Sequence, residues 1–284
     1  MLLVFLVHGS RDPRSQAGAG VLLAQVQTAL DALVTLEAGL FLWPEVATLE
    51  AGPHCLGDRL GEMGAAALAQ GQTQVCVLPL FLLAGNHVRV DIPQMLETAK
   101  PQLPMGVTVT LAPYLGNSPV LRSWLRDQMH RSPQIQGITV PRELPLAPQK
   151  PEHLPILLAH GSQRPEAHAV MINFAKGLGV RLAYLMGEPS LKAVVAADPP
   201  DSGASLGLVC PFFLFEGSWM DTLTPQVAAL GEDYPHIPWH LLPPLTQQSG
   251  FTTVVTQWIW QCGMTLRLRS HPSRPLHHPP APHP

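Results

Sequence analysis

The sequence predicts an α/β protein made of two tandem, doubly wound parallel-sheet lobes that face a central cleft. Two observations support this prediction: bare apolar runs alternate with helical patterns, and the second half of the chain repeats the first. Apolar runs without polar alternation are typical of parallel strands that are buried on both faces. Strands that alternate with helices favour a parallel sheet covered on both sides. In such sheets, ligands bind beyond the carboxyl ends of the strands.

Four strands are predicted in the first half, at Leu2–Val7, at Leu40–Leu42 with Val46–Leu49, at Val75–Phe81 and at Val107–Leu111. The helical patterns between them cover about 13–36, 55–70, 92–100 and 118–130. Asp12 is a capping residue followed by a proline at the first helical position, which marks the start of the first helix.

Three blocks of the first half recur in the second half in the same order. LLVFLVHGSRDP matches PILLAHGSQRP, QVCVLPLFLLAGNHVRVDIPQM matches LGLVCPFFLFEGSWMDTLTPQV, and LAPYLG at 111–116 matches LLPPLT at 241–246. Conserved order and similar spacing predict a duplication, in which one fold is used twice.

Two proline-rich segments bound these halves. Residues 131–155 contain six prolines and read as an extended linker, and residues 271–284 contain six prolines and four histidines. The predicted organisation is an N-terminal lobe with the active site at 1–130, the linker at 131–155, a degenerate C-terminal lobe at 156–262, and a disordered His- and Pro-rich tail at 263–284.

Composition excludes several classes of function. The 284-residue chain has a formal net charge of −3, so no chain-wide basic field is available for nucleic acid. No apolar run approaches the ~18–20 residues of a membrane span, and the start MLLVFLV lacks a basic leader, so we expect a cytoplasmic protein without a membrane partner. The four cysteines are far apart in the sequence, which argues against an iron–sulfur cluster. The sequence contains no phosphate-binding loop motif, so a nucleotide site is not predicted.

Three side chains that can bind metal follow predicted strands. His8, Glu50 and His87 each stand after an apolar run, His8 beside Gly9 and His87 in a loop after Gly85. Imidazole and carboxylate ligands together suit Fe, Co, Ni or Zn and leave coordination positions open. A neutral imidazole can also accept a proton near neutral pH.

The second half lacks this set of ligands. His160 aligns with His8, but Trp219 takes the place of His87 and Met186 that of Glu50. The second lobe is therefore predicted to be structural or to cover a substrate, with His160 retained as a hydrogen-bonded remnant. Arg11, Arg14 and Arg89 flank the two histidines of the first lobe; either they bind an anionic substrate or they are solvated loop residues.

The blocks LVHGSRDPRS and LPLFLLAGNHVRVDIP resemble the signature blocks of the sirohydrochlorin chelatases, the CbiX/SirB group of class II chelatases. The resemblance implies the long, two-lobed class II chelatase fold with flavodoxin-like lobes. It also implies insertion of Co²⁺ or Fe²⁺ into sirohydrochlorin, toward cobalamin or sirohaem. No cofactor is then expected beyond the substrate metal ion, and a monomer is expected because the second lobe supplies what a partner would.

The resemblance also implies roles for individual residues. His8 corresponds to the catalytic base and metal ligand, His87 to the second metal ligand, and Glu50 to an acidic residue that assists at the metal or the substrate. The stretch Leu82, Leu83, Ala84, Gly85 and Asn86 corresponds to the loop that lines the tetrapyrrole. Together with this loop and Glu50, Ser10, Arg11 and Arg89 are predicted to bind the substrate. The arginines, Arg14 included, would face the carboxylates of sirohydrochlorin.

Two alternatives stay open at this point. The same histidines and the tail could serve a non-catalytic protein that binds or delivers metal. A chelatase of the same fold could instead act on protoporphyrin, since the charge-poor loop Leu82–Gly85 suits an apolar ring.

Overall fold

The structure, a computed structural model, describes residues 1–34, 43–50, 55–130, 153–162, 164–198 and 206–270. Each half carries a four-stranded sheet in which every strand pair is parallel, in the orders β2-β1-β3-β4 and β6-β5-β7-β8. Two doubly wound α/β lobes are thereby confirmed. The elements are β1 (Leu2–Val7), α1 (Pro13–Val34), β2 (Trp43–Thr48), α2 (Leu56–Ala69), β3 (Gln74–Pro79), α3 (Ile92–Ala99), β4 (Thr108–Leu111), α4 (Pro119–His130), β5 (His153–Ala159), α5 (Pro165–Leu178), β6 (Arg181–Tyr184), α6 (Leu191–Ala197), β7 (Leu206–Pro211), α7 (Ser218–Asp233), β8 (Trp239–Leu241) and α8 (Phe251–Ser270).

The central strand β1 shows why the apolar runs lack alternation. All six of its residues are buried, and successive side chains enter different cores. Leu3 and Phe5 belong to one apolar cluster, whereas Leu2 and Val4 belong to another on the opposite face of the sheet. A strand covered on both faces therefore needs apolar residues at every position.

One apolar cluster joins the two lobes. It contains Leu22 of α1 and Leu125 of α4 from the first half, and Phe174 of α5 and Phe251 of α8 from the second. Helix α8, the last helix of the second half, packs on both α1 and α4. Burial of this shared surface holds the lobes against each other.

Arg14 and Asn86, which follow strands of the first lobe, contact Asp221 and Arg164, which follow strands of the second. The region between these strand ends is called the cleft below.

The observed elements correct both predicted boundaries of the second lobe. Strand β5 begins at His153, whose Nε2 donates a hydrogen bond of 2.7 Å to the carbonyl of Met129, so the predicted linker ends too late at 155. Helix α8 continues to Ser270, so the predicted disordered tail begins too early at 263. The rest of the predicted linker, 131–152, and the tail residues 271–284 lie outside the described residues.

The third helix of the first lobe begins earlier than predicted. A π-helical turn, His87–Asp91, precedes α3, and the backbone N–H of Ile92 bonds to the carbonyl of His87. The spacing of His87 from the preceding strand predicts a position in a loop. His87 instead is the first residue of a helical segment, so this prediction is wrong. The predicted strand piece Leu40–Leu42 lies outside the described residues.

Within the described ranges, no helix combines the length and the apolar character that crossing a bilayer requires.

Candidate functional site

The side chains of His8, Glu50 and His87 meet at the carboxyl end of the first sheet. His8 follows β1, Glu50 follows β2 and His87 opens the helical segment after β3. These three strands are neighbours in the order β2-β1-β3. The chain reverses its winding direction between β1 and β3, which is where α/β sheets of this kind form ligand sites.

The three groups are within coordination reach of a single ion. The Nε2 atoms of His8 and His87 lie 3.2 Å apart, and the Glu50 carboxylate lies 3.9 Å from His8 Nε2 and 3.8 Å from His87 Nδ1. Ligand atoms from all three lie within 4.8 Å of one another. The side chains of His8 and Glu50 are 54% and 57% exposed, and that of His87 is 33% exposed, so the cluster is open to solvent and to a large ligand.

Gly9 lets the ends of β1 and β2 approach each other. Its φ is +97°, and a Cβ atom at this position would lie 2.2 Å from the carbonyl oxygen of Glu50. The backbone N–H of Glu50 donates a 3.0 Å hydrogen bond to the carbonyl of His8. A residue with a side chain here would push the carboxylate away from the histidine.

Asp91 completes the cluster and was not identified from the sequence. Its carboxylate accepts a hydrogen bond of 2.8 Å from His87 Nδ1. This contact holds the proton on Nδ1 and leaves the Nε2 lone pair of His87 facing His8. The only sequence signal was the separation of four residues within a helical segment.

The segment between β3 and the π-helical turn is only partly free to line a substrate. Leu82 and Leu83 are half-buried and pack against the apolar cluster shared by the lobes, and Ala84 is also half-buried. Gly85 is exposed, whereas Asn86 accepts a hydrogen bond from the guanidinium of Arg164 in the second lobe.

Phe81 is a further neighbour that the sequence did not single out. Its ring centroid lies 6.5 Å from that of His8 and 6.2 Å from that of His87. Ser10 lies at the turn before α1, where its Oγ accepts a hydrogen bond from the backbone N–H of Asp12.

The three arginines near the two histidines of the first lobe separate into two groups. Arg11 and Arg89 are exposed and form no ion pair with the described residues. Arg14, in contrast, donates to both carboxylate oxygens of Asp221 in the second lobe, at 2.8 and 2.7 Å, and to Asp12 at 2.8 Å. The expectation that Arg14 faces an anionic ligand is therefore wrong, because its guanidinium already bridges the lobes.

This bridge shifts the titration of its carboxyl groups. Hydrogen bonds from the Arg14 guanidinium hold the pKa of Asp12 and of Asp221 below the usual aspartate range. Asp12 also accepts a hydrogen bond from the backbone N–H of Ser218, at the start of α7. Both carboxyl groups are therefore ionised near neutral pH and keep the two lobes in contact beside the cleft.

The second lobe repeats the geometry of the cluster with different side chains. Gly161 has a φ of +100°, and the N–H of Met186 donates a 2.8 Å hydrogen bond to the carbonyl of His160. The rings of His160 and Trp219 meet edge to face with centroids 4.3 Å apart, as those of His8 and His87 do at 4.7 Å. The alignment of Trp219 with His87 and of Met186 with Glu50 is thus confirmed.

Two imidazoles and a carboxylate with open coordination positions are a ligand set for a divalent transition metal. The fold and this cluster together define a two-lobed α/β protein with a candidate metal site at the sheet edge of its first lobe. The chain belongs to the CbiX family, whose sequence profile matches residues 2–132 and 155–261.

Comparison with known proteins agrees with this assignment. The chain is 23% identical over 232 residues to a sirohydrochlorin cobaltochelatase of Priestia megaterium, covering 79% of this chain and 68% of that protein. The fold is similar to that of SirB from Bacillus subtilis with Fe³⁺, with a TM-score of 0.66 at 19% identity over 94% of this chain and 96% of the other. It is also similar to a CbiX described as the terminal enzyme for biosynthesis of siroheme in denitrifying bacteria, with a TM-score of 0.58 at 20% identity over 92% and 99% of the two chains.

Proposed function

We propose that this protein is a sirohydrochlorin chelatase that inserts Co²⁺ or Fe²⁺ into sirohydrochlorin, and that His8, His87 and Glu50 carry the reaction. The observation that supports this proposal most directly is the convergence of two imidazole Nε2 atoms, 3.2 Å apart, beside a carboxylate at the open end of the sheet. The relatives add the substrate class, since one of them is named a sirohydrochlorin cobaltochelatase.

The histidines would hold the incoming ion. Nδ1 of His87 donates to Asp91, and Nδ1 of His8 donates to the carbonyl oxygen of Gly9 at 3.1 Å. Both Nε2 lone pairs are therefore available to one divalent ion. Few protein ligands and high exposure favour a labile ion that can pass to a stronger set of nitrogen donors.

Glu50 would then accept a proton that the tetrapyrrole releases. A free-base tetrapyrrole loses its pyrrole N–H protons when a divalent ion enters the ring, and a base must accept them. The Glu50 carboxylate makes no contact shorter than 3.8 Å to either histidine, so it is free to accept a proton or to balance the charge of the ion. His8 can accept the second proton once the ion has left its Nε2 atom.

The substrate would be oriented by its carboxylates. Exposed Arg11 lies three residues after His8, and exposed Arg89 lies two residues after His87. Both guanidinium groups can form charge-assisted hydrogen bonds with carboxylates on the ring periphery. The reaction as proposed uses no nucleotide and no cofactor other than the substrate ion.

An anaerobic absorbance assay tests the proposal. Sirohydrochlorin is mixed with Co²⁺ or Fe²⁺ and the protein, and spectral conversion is followed above the uncatalysed rate. We expect His8→Ala and His87→Ala each to lower the catalysed rate by about 100-fold or more, since each removes a ligand or base used in the reaction.

The matched control is His236→Ala, which removes an exposed histidine of the second lobe and should leave the rate unchanged. An intact protein that binds Co²⁺ tightly without accelerating insertion would contradict the proposal and favour a metal-delivery protein. Faster insertion into protoporphyrin than into sirohydrochlorin would assign a different substrate.

A further inference from the structure

The second lobe keeps the scaffold of the His8, Glu50 and His87 cluster but replaces two of its three side chains with apolar ones. His160, Met186 and Trp219 occupy the places of His8, Glu50 and His87, with the same glycine conformation and the same ring contact. The position equivalent to Asp91 is Leu223, which is fully buried, so the carboxylate that orients His87 has no counterpart. The equivalent surface thus offers an indole, a thioether and an imidazole.

Trp219 and Met186 are unusually exposed for residues of their size. Trp219, in the first turn of α7, is 44% exposed, and Met186, which follows β6, is 56% exposed. Both residues contact His160, Trp219 through its ring and Met186 through its backbone N–H. Exposed apolar patches of this kind mark binding surfaces.

Contacts between the lobes place this surface at the cleft. Two residues before Trp219, a Cβ atom on Gly217 would lie 3.5 Å from the Asp12 carboxylate, and two residues after it Asp221 binds Arg14. Asp12 and Arg14 follow His8 closely in the first lobe. In the reciprocal contact, Asn86, the neighbour of His87, binds Arg164, which lies four residues after His160.

The occupant of the cleft must therefore fit between an apolar aromatic surface and a metal cluster. A second protein chain is disfavoured, because the segment that carries Trp219 is bound to the first lobe on both sides. A flat conjugated macrocycle fits, since aromatic rings stack on an indole and a thioether adapts to its surface. The exposed guanidinium groups of Arg11 and Arg89 suit carboxylates at the periphery of such a ring.

We propose that Trp219, Met186 and His160 form an apolar platform that binds one face of the tetrapyrrole, while the first lobe supplies the ion. This inference rests on the proposed function and assigns a substrate-binding role to the second lobe. In this proposal, the second lobe keeps the fold of the first lobe but binds the tetrapyrrole ring, whereas the first lobe binds the ion.

Two binding titrations test the platform. Metal-free sirohydrochlorin is titrated into the intact protein and into Trp219→Ala, Trp219→Phe and Met186→Ser, and Co²⁺ is titrated into each variant without tetrapyrrole. We expect Trp219→Ala to weaken sirohydrochlorin binding about tenfold, and Trp219→Phe and Met186→Ser to weaken it by about threefold or less. In turnover, Trp219→Ala should raise KM and leave kcat within about twofold of the intact protein.

The matched control is Ile172→Ala, which removes an exposed apolar side chain of similar exposure from α5 and should leave both titrations unchanged. Co²⁺ binding should be unchanged in every variant. If Trp219→Ala does not fold, the sirohydrochlorin affinities of Trp219→Phe and Met186→Ser, which change exposed side chains, test the platform instead. Equal sirohydrochlorin affinity in Trp219→Ala and the intact protein would overturn the platform, as would a parallel loss of Co²⁺ affinity.

The proposed function and the platform can fail separately. An intact protein that binds sirohydrochlorin through Trp219 but inserts no ion would refute the chelatase and keep the platform. An intact protein that inserts ions normally while Trp219→Ala retains full affinity would refute the platform alone. Absence of sirohydrochlorin binding to the intact protein would refute both.

Discussion

His87 makes one contact through each of its two ring nitrogens, and the two contacts together decide what the site can bind. Its Nδ1 donates to Asp91, and its Nε2 meets His8. The carboxylate fixes the ring against rotation and keeps the Nε2 lone pair directed at His8. The π-helical turn brings both residues to one side of the backbone, a geometry that recurs at functional sites in helices.

Replacing Asp91 with asparagine should weaken metal binding without disturbing the fold. The amide is a weaker acceptor and can present its NH₂ to the ring, so we expect Co²⁺ affinity to fall by about 10- to 100-fold. Isothermal titration with Co²⁺ measures this change. Glu232→Gln, which neutralises an exposed carboxylate of α7, is the control, and an Asp91→Asn protein with unaltered affinity would show that His87 needs no orienting partner.

The cysteines differ sharply in their expected reactivity. Burial raises the pKa of the Cys76 and Cys210 thiols to about 12 and that of Cys262 to about 11. These three thiols are therefore protonated and shielded at neutral pH, whereas Cys55 is partly exposed. We expect a thiol reagent at about pH 8 to modify only Cys55 in the native protein, and all four cysteines after denaturation. Rapid native labelling of Cys76 would contradict the packing of β3.

The turns after β1 and β5 are built alike, and each depends on one glycine. Gly9 and Gly161 have φ values of +97° and +100°. A Cβ atom at Gly161 would lie 1.9 Å from the carbonyl oxygen of Met186, which is as prohibitive as the contact between Gly9 and Glu50. The two turns therefore form a matched pair. The turn at Gly9 lies beside the candidate metal ligands, and the turn at Gly161 lies beside their apolar counterparts.

Alanine at these two positions should separate stability from metal binding. We expect Gly9→Ala and Gly161→Ala each to lower the free energy of unfolding by about 1–3 kcal/mol, because each forces a strained backbone against a carbonyl. Only Gly9→Ala should also lose Co²⁺ affinity, since it displaces Glu50 from His8. Urea unfolding and a Co²⁺ titration on each variant measure the two effects, and equal Co²⁺ affinities would show that the spacing of the first turn is unimportant.

The two lobes are held by an apolar core below the cleft and by polar contacts beside it. Arg14 joins Asp12 and Asp221 across the lobes, and Arg164 joins Asn86 on the opposite side. These contacts join the segments that follow His8 and precede His87 to those that follow His160 and Trp219, and so hold the strand ends of the two lobes together. The arrangement is nearly two-fold symmetric, since the repeat aligns Asp12 with Arg164 and Asn86 with Ser218.

The Arg14 bridge should make a contribution to stability that disappears in acid. The pKa of Asp12 and of Asp221 is lowered below 3.8 in the native state, so the native state binds fewer protons than the unfolded chain. The contribution is therefore complete above the unfolded value and is lost as the pH falls through the lower native values.

The corresponding measurement compares urea midpoints of the intact protein and Arg14→Gln. The intact protein should have the higher midpoint at about pH 7, and the difference should vanish toward about pH 2. Added salt should also reduce the difference, because the groups are exposed. Arg11→Gln, at an arginine that forms no ion pair with the described residues, is the control. A difference that grows on acidification would have the wrong sign for this bridge.

Much of this architecture was predictable because it depends on local pattern. Runs such as Leu2–Val7 must be apolar throughout when a strand is buried on both faces, and the repeat is visible as matched blocks. His8, Glu50 and His87 were identifiable because parallel strands bring their carboxyl ends to one sheet edge. The start of β5 at His153 and the helical turn at His87 were missed, because both lie where a tertiary contact extends an element beyond its pattern.

The amino-acid sequence by itself determined the two α/β lobes, the duplicated turns and the three side chains of the candidate metal site, because each is encoded in residues close together or at matched positions of the repeat. Only the tertiary structure decided that Arg14 binds Asp221 and that Gly217, two residues before Trp219, lies against Asp12. Those contacts join residues far apart in the chain, and they depend on how α1, α4, α5 and α8 share one apolar core. Packing of the lobes, which no local pattern specifies, sets which charges are neutralised and which apolar side chains remain open to a ligand.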